Sequence, residues 1–495
     1  MIFAALAGAA CVFGFAPYYA WPVPMLALCV PFLVWSRAAT PRKAFATGYA
    51  FGLGFFLAGV TWIYVALHDF GDMPAILAGI AVLLFCAFLA LFPALAGWVT
   101  ARFAANPGWR FVLAPAMYVL CEMLRGWIFT GFPWLSIGTS QVPSSPLAGF
   151  APIGGVYGVS LIAAFLASLA AIALRRESKV RTRSAMVVAI AAVFGIGAAL
   201  QSYSWTEPAG PSIPIALLQG NIAEELKWKD ETRKATLEAY RDMVAAAKAK
   251  IVVLPETALP ELYDRLPDEY LDSLRDIARR DGKEIVTGVV ERERAGEHYA
   301  YYNSVVTIGS DAPHVYRKRH LVPFGEFIPP GFAWVFAVLK IPMGELERGG
   351  EDQGALAVDG TSFAVAICYE DLFGRELVDA LPAAQILLNV SNDAWYGHSL
   401  AADQHLQASQ MRAAETGRWM LRATNTGVTA AIDPKGQVVA RLPAFERGRL
   451  VASAEPRKGM TPYARWRDWP ALVLAAALAV LAAWRGRERN FVALR

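Results

Sequence analysis

Charged side chains are scarce in this sequence: Asp, Glu, Lys and Arg make up 18% of its 495 residues, against about 25% in an ordinary soluble protein. Cysteine is scarcer still. The five present are too few for a disulfide scaffold, and Cys11, Cys29, Cys86 and Cys121 lie in apolar runs, which leaves Cys368 as the lone thiol of the charged stretch. Histidine occurs six times with no HExxH and no clustered Cys/His spacing, so no metal site is expected. Neither a P-loop nor a dinucleotide fingerprint is present, and no cofactor is expected; GIGAA at 195–199 is a small-residue run inside an apolar stretch. Internal repeats and low-complexity tracts are also missing. These shortages exclude a disordered chain and a single soluble domain.

The shortage of charge is uneven. Residues 1–211 carry 11 Lys+Arg and 5 Asp+Glu, about 8% of positions, whereas residues 212–468 carry 31 and 36, about 26%, and the tail from 469 adds 4 basic residues and 1 acidic. The best-charged segment is net acidic, so the pI of 8.7 does not point to nucleic acid. A helix needs roughly 17–25 apolar residues to cross a bilayer. Runs near 2–16, 20–36, 44–66, 74–100, 109–125, 155–174, 184–201 and 469–484 read as spans, the first two being short. The first lacks a basic leader and many more follow it, so it reads as retained rather than as a cleaved signal.

Basic residues label the sides of these spans. Arg37, Arg42 and Lys43 follow the second, Arg102 and Arg110 the fourth, Arg175, Arg176, Lys179, Arg181 and Arg183 the sixth, and Arg485, Arg487 and Arg489 the last, while 15–21 and 68–73 contain no Lys or Arg. By the positive-inside rule both termini are cytoplasmic and the charged segment lies outside. The expected boundaries are a membrane domain at 1–203 with about seven helices, an outer domain at 212–460, a C-terminal span at 469–485 and a cytoplasmic tail at 486–495. Arg125 departs from the rule, on the outer side before GWIFTGFPWLSIGTSQ. That stretch, with Trp127, Phe129, Phe132 and Trp134, reads as interfacial or re-entrant, or as an aromatic belt with no other role. Glu122 and Arg125, three apart, read as a helix-end salt bridge.

The outer segment alternates strand-like and helix-like patterns. IPIALLQ (213–219), KIVVLP (250–255), EIVTGVV (284–290), NSVVTIG (303–309), TSFAVAIC (361–368), QILLNVS (385–391) and TAAID (429–433) read as strands, and 230–249, 267–281, 374–380 and 400–419 as helices. Such alternation indicates an α/β layered domain. Glu256 and Cys368 each close an apolar strand, where side chains emerge at a sheet's edge, and Lys318 lies in VYRKRHLVPFGE. Taken singly, each is more often a surface carboxylate, a surface lysine or a small buried hydrophobe. Taken together they form a chemical set: a carboxylate that can deprotonate a thiol, and an ammonium that can stabilise the oxyanion of a tetrahedral intermediate.

The strings around these residues, LPETALP, YRKRHLVPFGEFIP, ICYED and SNDAWYG, resemble the nitrilase superfamily, whose Glu, Lys and Cys come in this order. With GFPWL at 131–135, the whole chain is similar to the membrane-embedded members of that superfamily, the apolipoprotein N-acyltransferases. The resemblance implies about eight transmembrane helices plus an extracytoplasmic αββα sandwich. It implies Glu256 as general base, Cys368 as nucleophile and Lys318 as oxyanion stabiliser. Glu326 would orient the lysine or the catalytic glutamate, or be only an ion-pair partner. Tyr369 and Glu370 would shape the pocket beside the thiol, with the Tyr369 N–H a second oxyanion donor, although Glu370 also reads as a structural acceptor. Trp228 in LKW would sit near substrate entry, or anchor at an interface.

The apolar run GFAWVFAVLKIPM (331–343) reads as a lid dipping toward the bilayer, with Gly344, Gly349 and Gly350 as hinges, or as a buried packing element. The resemblance further implies a phospholipid acyl donor, the sn-1 chain of phosphatidylethanolamine type, and a diacylglyceryl-cysteine apolipoprotein as acceptor. It implies the last step of lipoprotein maturation, in the bacterial inner membrane with the catalytic domain on the periplasmic side. The protein is expected to act as a monomer. A membrane-anchored amidase or nitrilase using water would employ the same three residues, and a transporter or scaffold would need intramembrane ionisable pairs, of which Glu122 and Arg125 are the main candidates.

Overall fold

The computed structural model describes residues 1–227, 229–309, 314–329, 331 and 345–487. Trp228 and all of the expected lid except Gly331 lie outside the described residues. The chain forms two compact units, one comprising Met1–Ser204, His398–Gln407 and Thr461–Arg495, the other Trp205–Gly397 and Ala408–Met460.

The first unit is helical, and each apolar run of the sequence falls on a helix: Ile2–Ala10, Pro22–Arg37, Pro41–Gly59, Ala75–Phe103, Pro107–Arg125, Ala151–Leu174, Val180–Ser202 and Trp469–Arg485. Several open on proline, whose missing N–H is free of cost in a first turn, and Thr40 and Asn106 cap two of them through their side chains. Among the described residues, Ala75–Phe103, Pro146–Leu174 and Val180–Ser202 are long and apolar enough to cross a membrane. Pro41–Gly59 and Trp62–Phe70, bent by 53°, would make a fourth if they form one span. Helices approach closely where side chains vanish: a Cβ on Gly48 would lie 2.3 Å from the Pro93 carbonyl oxygen.

The segment after Arg125 holds only short 3-10 turns, at Ile128–Thr130, Thr139–Gln141 and Pro146–Phe150. Its backbone is held by the two residues expected to pair with each other. Arg125 Nη1 donates to the carbonyls of Phe132 (2.5 Å) and Trp134 (2.6 Å). Glu122 Oε2 accepts from Ile137 N at 2.9 Å, and Oε1 accepts from the Ser160 hydroxyl. The helix-end salt bridge is therefore corrected to a loop clamp, because buried irregular backbone away from water takes whatever polar side chains are within reach. Within the same unit, Trp134 Nε1 donates to Gln404 Oε1 at 2.7 Å, and Gln407 accepts from Ala16 N and donates to the Val142 carbonyl, both at 2.9 Å.

The second unit contains fourteen strands among its described residues: β1 (Glu207–Pro208), β2 (Ile213–Gln219), β3 (Ile251–Val253), β4 (Glu284–Ala295), β5 (His298–Ile308), β6 (Val315–Arg317), β7 (Leu356–Val358), β8 (Thr361–Ile367), β9 (Ile386–Ser391), β10 (Met420–Thr424), β11 (Ala430–Ile432), β12 (Val438–Arg441), β13 (Gly448–Ala454) and β14 (Arg457–Lys458). β1 pairs with β14, and the rest form two six-stranded sheets, β13-β2-β3-β4-β5-β6 and β12-β11-β10-β9-β8-β7. From β13 to β6 the pairings run antiparallel, parallel, parallel, antiparallel, antiparallel. From β7 to β12 they run the same way. The topology is thus repeated where the sequence shows no repeat.

Ile215, Leu217, Val253 and Val286 of one sheet meet Val365, Ile367, Leu388 and Leu421 of the other in one buried cluster. The reverse face of the first sheet packs, through Leu218, Val252 and Ile285, on residues of the helices Asp230–Ala246 and Asp268–Asp281. This is layered α/β packing with alternate residues of each strand serving the two faces.

Candidate active site

Glu256, Lys318 and Cys368 all follow strand ends of the second unit: β3 by three residues, β6 and β8 directly. The buried Lys318 ammonium lies 2.8 Å from Glu326 Oε1 and 3.6 Å from Glu256 Oε1. Asn303, on β5, bridges the two carboxylates, its Nδ2 donating to Glu256 Oε1 at 2.7 Å and to Glu326 Oε1 at 3.2 Å. The remaining oxygens are held by backbone: Asn392 N donates to Glu256 Oε2 at 2.8 Å and Val322 N to Glu326 Oε2 at 2.7 Å. Gly288 of β4 lies against the Glu256 backbone so tightly that a Cβ there would sit 2.6 Å from Glu256 Cα.

Cys368 is buried with a φ of 51°. A non-glycine residue in the left-handed region is strained and persists only where its surroundings enforce it. Two networks supply that enforcement. In front, Glu370 Oε2 accepts from Ile367 N (2.7 Å) and the Tyr316 hydroxyl (3.1 Å), while Oε1 accepts from Arg319 N (2.8 Å) and His320 N (3.0 Å). One carboxylate thus ties the strand before the thiol to the strand and turn that carry Lys318. Behind, Asn389 Nδ2 donates to the Cys368 carbonyl at 3.1 Å and is itself oriented by Arg422 Nη1 at 2.8 Å. Arg422, fully buried, also pairs with Asp371 at 3.0 Å and Asp393 at 2.8 Å. Tyr369 is buried, with its ring 5.2 Å from that of Phe373.

Burial pushes the Cys368 thiol well above its ordinary pKa and the Glu256 charge adds to this, while Lys318 and a hydrogen bond with Ser391 act against it without cancelling it. The resting sulfur is therefore a thiol that needs a base. Burial alone would favour a neutral Lys318, but Glu326 and then Glu256 outweigh it and hold the ammonium charged above the ordinary lysine range. A carboxylate, a neutral thiol and a charged ammonium are the groups that acyl transfer through a covalent intermediate requires.

The structure brings Glu256, Lys318 and Glu326 into contact and sets Tyr369 and Glu370 on the turn that begins with Cys368. Sequence reasoning missed Asn303, Asn389 and Arg422. Asn389 sits inside QILLNVS, where an amide interrupting an apolar strand was the available signal, whereas Asn303 only opens NSVVTIG.

A sandwich of this kind with Glu, Lys and Cys at strand ends defines a carbon–nitrogen hydrolase domain, and residues 214–461 match the family described as Carbon-nitrogen hydrolase. Residues 7–169 match the Apolipoprotein N-acyltransferase N-terminal domain. The chain is 46% identical to an apolipoprotein N-acyltransferase of Nitrosomonas europaea, over 98% of this chain and 97% of that one. It is 45% identical to one of Chromobacterium violaceum, over 99% and 95%. It belongs to the apolipoprotein N-acyltransferase family. Among solved structures, an amidase of the nitrilase superfamily from Nesterenkonia is 18% identical, with a TM-score of 0.36, covering 53% of this chain and 97% of its own.

Proposed function

We propose that this protein transfers a fatty acyl chain from a phospholipid, through a thioester on Cys368, to the α-amine of the diacylglyceryl-cysteine that begins an apolipoprotein. The contact of Glu256, Lys318 and Glu326 beside a buried thiol carries the mechanistic reading, and the full-length family match carries the substrate class. In the first half-reaction Glu256 takes the Cys368 proton and the sulfur attacks the ester carbonyl. Lys318 and the Tyr369 N–H stabilise the oxyanion, the carbon–oxygen bond breaks, and the lysophospholipid leaves with the proton from Glu256. In the second, Glu256 takes a proton from the attacking amine, the carbon–sulfur bond breaks, and the thiol is restored as the amide forms.

The apolar helices suit such substrates. At about 0.8 kcal/mol per buried CH₂, a sixteen-carbon chain is held in a bilayer by roughly 12 kcal/mol, so the thiol must come to the chain. A small-amide hydrolase has no use for such an anchor, and water as acceptor is not favoured. The donor is read as sn-1 of phosphatidylethanolamine type. The topology is read as eight spans with both termini cytoplasmic, 212–460 periplasmic, 469–485 the last span and 486–495 a cytoplasmic tail, in a monomer of the inner membrane.

Intact mass of the detergent-purified protein incubated with phospholipid alone tests this. An increment of one acyl group, removed by hydroxylamine and missing from Cys368→Ala, is expected. Acyl transfer by Cys368→Ala, or no adduct on the wild type, sinks it.

A further inference from the structure

Lys227 is a buried lysine that the two half-reactions leave without a task. It ends the short helical turn Glu224–Lys227, is 2% exposed, and its Nζ donates to the hydroxyl of Thr257, the residue next to Glu256. Burial lowers its pKa below the ordinary lysine value, and the carboxylates of Glu224 and then Glu256 limit that fall without cancelling it. Asn392 links those carboxylates, its N–H on Glu256 Oε2 at 2.8 Å and its Nδ2 on Glu224 Oε2 at 2.7 Å. Asn425 fixes the bridge by donating to Asn392 Oδ1 at 3.1 Å and to the Ile222 carbonyl at 2.7 Å.

Glu256 therefore has two lysine neighbours with different obligations. Lys318 divides its charge between Glu326, Glu256 and, during reaction, the oxyanion. Lys227 faces no reacting atom in the mechanism above, so its field on Glu256 stays constant through the cycle. We infer that Lys227 is a positioning residue for the base, setting the field and the placement of Glu256 through Thr257 while Lys318 turns to the oxyanion, with Glu224 as the opposing charge and Asn392 as the bridge. Among the described residues, the other charged or titratable groups facing Glu256 are Lys318, Cys368 and Tyr396, with Glu326 coupled to it through Asn303. This inference rests on the reading of Glu256 as the base.

The test is the pH dependence of acyl transfer in wild type, Lys227→Met, Lys227→Arg and Glu224→Gln. Removing the cation makes the triad easier to protonate, so the acid limb of Lys227→Met should move up by about 0.5–1 pH unit, and Lys227→Arg should restore it. Removing the counter-charge should move the limb of Glu224→Gln down. A purely structural role would not move the two variants in opposite directions. Unmoved limbs, or shifts of one sign, overturn the inference. Should Lys227→Met fail to fold by thermal melting, Glu224→Gln decides alone, and a limb that does not fall overturns it. Cys368→Ala separates the two failures: transfer by that variant sinks the site reading, whereas its inactivity with unmoved limbs sinks only the role of Lys227.

Discussion

The Lys318 ammonium, 2.8 Å from Glu326 and 3.6 Å from Glu256, neutralises one buried and one partly buried carboxylate and must also meet an oxyanion. Lys318→Met should therefore do two things. Loss of the oxyanion donor should lower acyl transfer by about 10²–10³-fold, and stranding two carboxylates should cost about 3–5 kcal/mol of stability. Rates with thermal melting would show both, and a variant of unchanged melting temperature would mean that the lysine is not the counter-charge it is drawn as. A pH effect follows from the same groups. The folded state holds the protons of Cys368 and Lys318 more tightly than the unfolded chain does. Their stabilisation is complete at neutral pH and is lost as pH rises past the ordinary thiol value of 9.0 and then the lysine value of 10.5, by at most about 1.4 kcal/mol per pH unit for each group. Cys368→Ala should lose less stability than wild type between those two values, and parallel curves would contradict the raised thiol.

At the scale of elements, the site depends on strand ends tied together by single side chains. Glu370→Ala would leave three N–H groups, two of them buried, and a tyrosine hydroxyl without their acceptor, at about 1–3 kcal/mol for each that water cannot reach. A loss of at least about 3 kcal/mol is expected, and a loss below 1 kcal/mol would show that the turn at Cys368 is not held this way. Gly288→Ala should instead fold and misplace the base: a Cβ 2.6 Å from Glu256 Cα forces the β3 end to shift, and a fall of about 10²-fold in transfer is expected. Native circular dichroism with wild-type activity would count against that.

The same elements show what could be read beforehand. β2, β3, β8 and β9 are buried along nearly their whole length, so their apolar runs announce them, as they do the residues that follow. β10 was hidden because Arg422 interrupts it, a charge whose partners Asp371 and Asp393 come from other elements. β12 and β13 were hidden because their exposed positions alternate with half-buried or buried ones, and short mixed strands look like loop. Asn303 carries no local mark of its task, since its two carboxylates lie 47 and 23 residues away in sequence.

For the whole molecule, the proposed topology makes a prediction independent of chemistry. In a protein with its native cysteines replaced, a cysteine at the exposed Lys248 should react in intact spheroplasts with a membrane-impermeant maleimide, and one at the exposed Arg37 only after lysis. The reverse pattern would invert the assignment of sides.

The pairing of β2 with β13, in register from Ile213↔Ala454 to Gln219↔Gly448, also sets a timetable. The partner strand of β2 is made after every strand of the second sheet, and at about 5–20 residues per second the edge of β2 waits on the order of 10–50 s for it. The nascent domain thus completes itself with nearly its last strand, shortly before the helix Trp469–Arg485 follows. A chain cut short before residue 448 would carry Glu256 and Lys318 on a first sheet left open along β2, with the edge hydrogen bonds that invite aggregation.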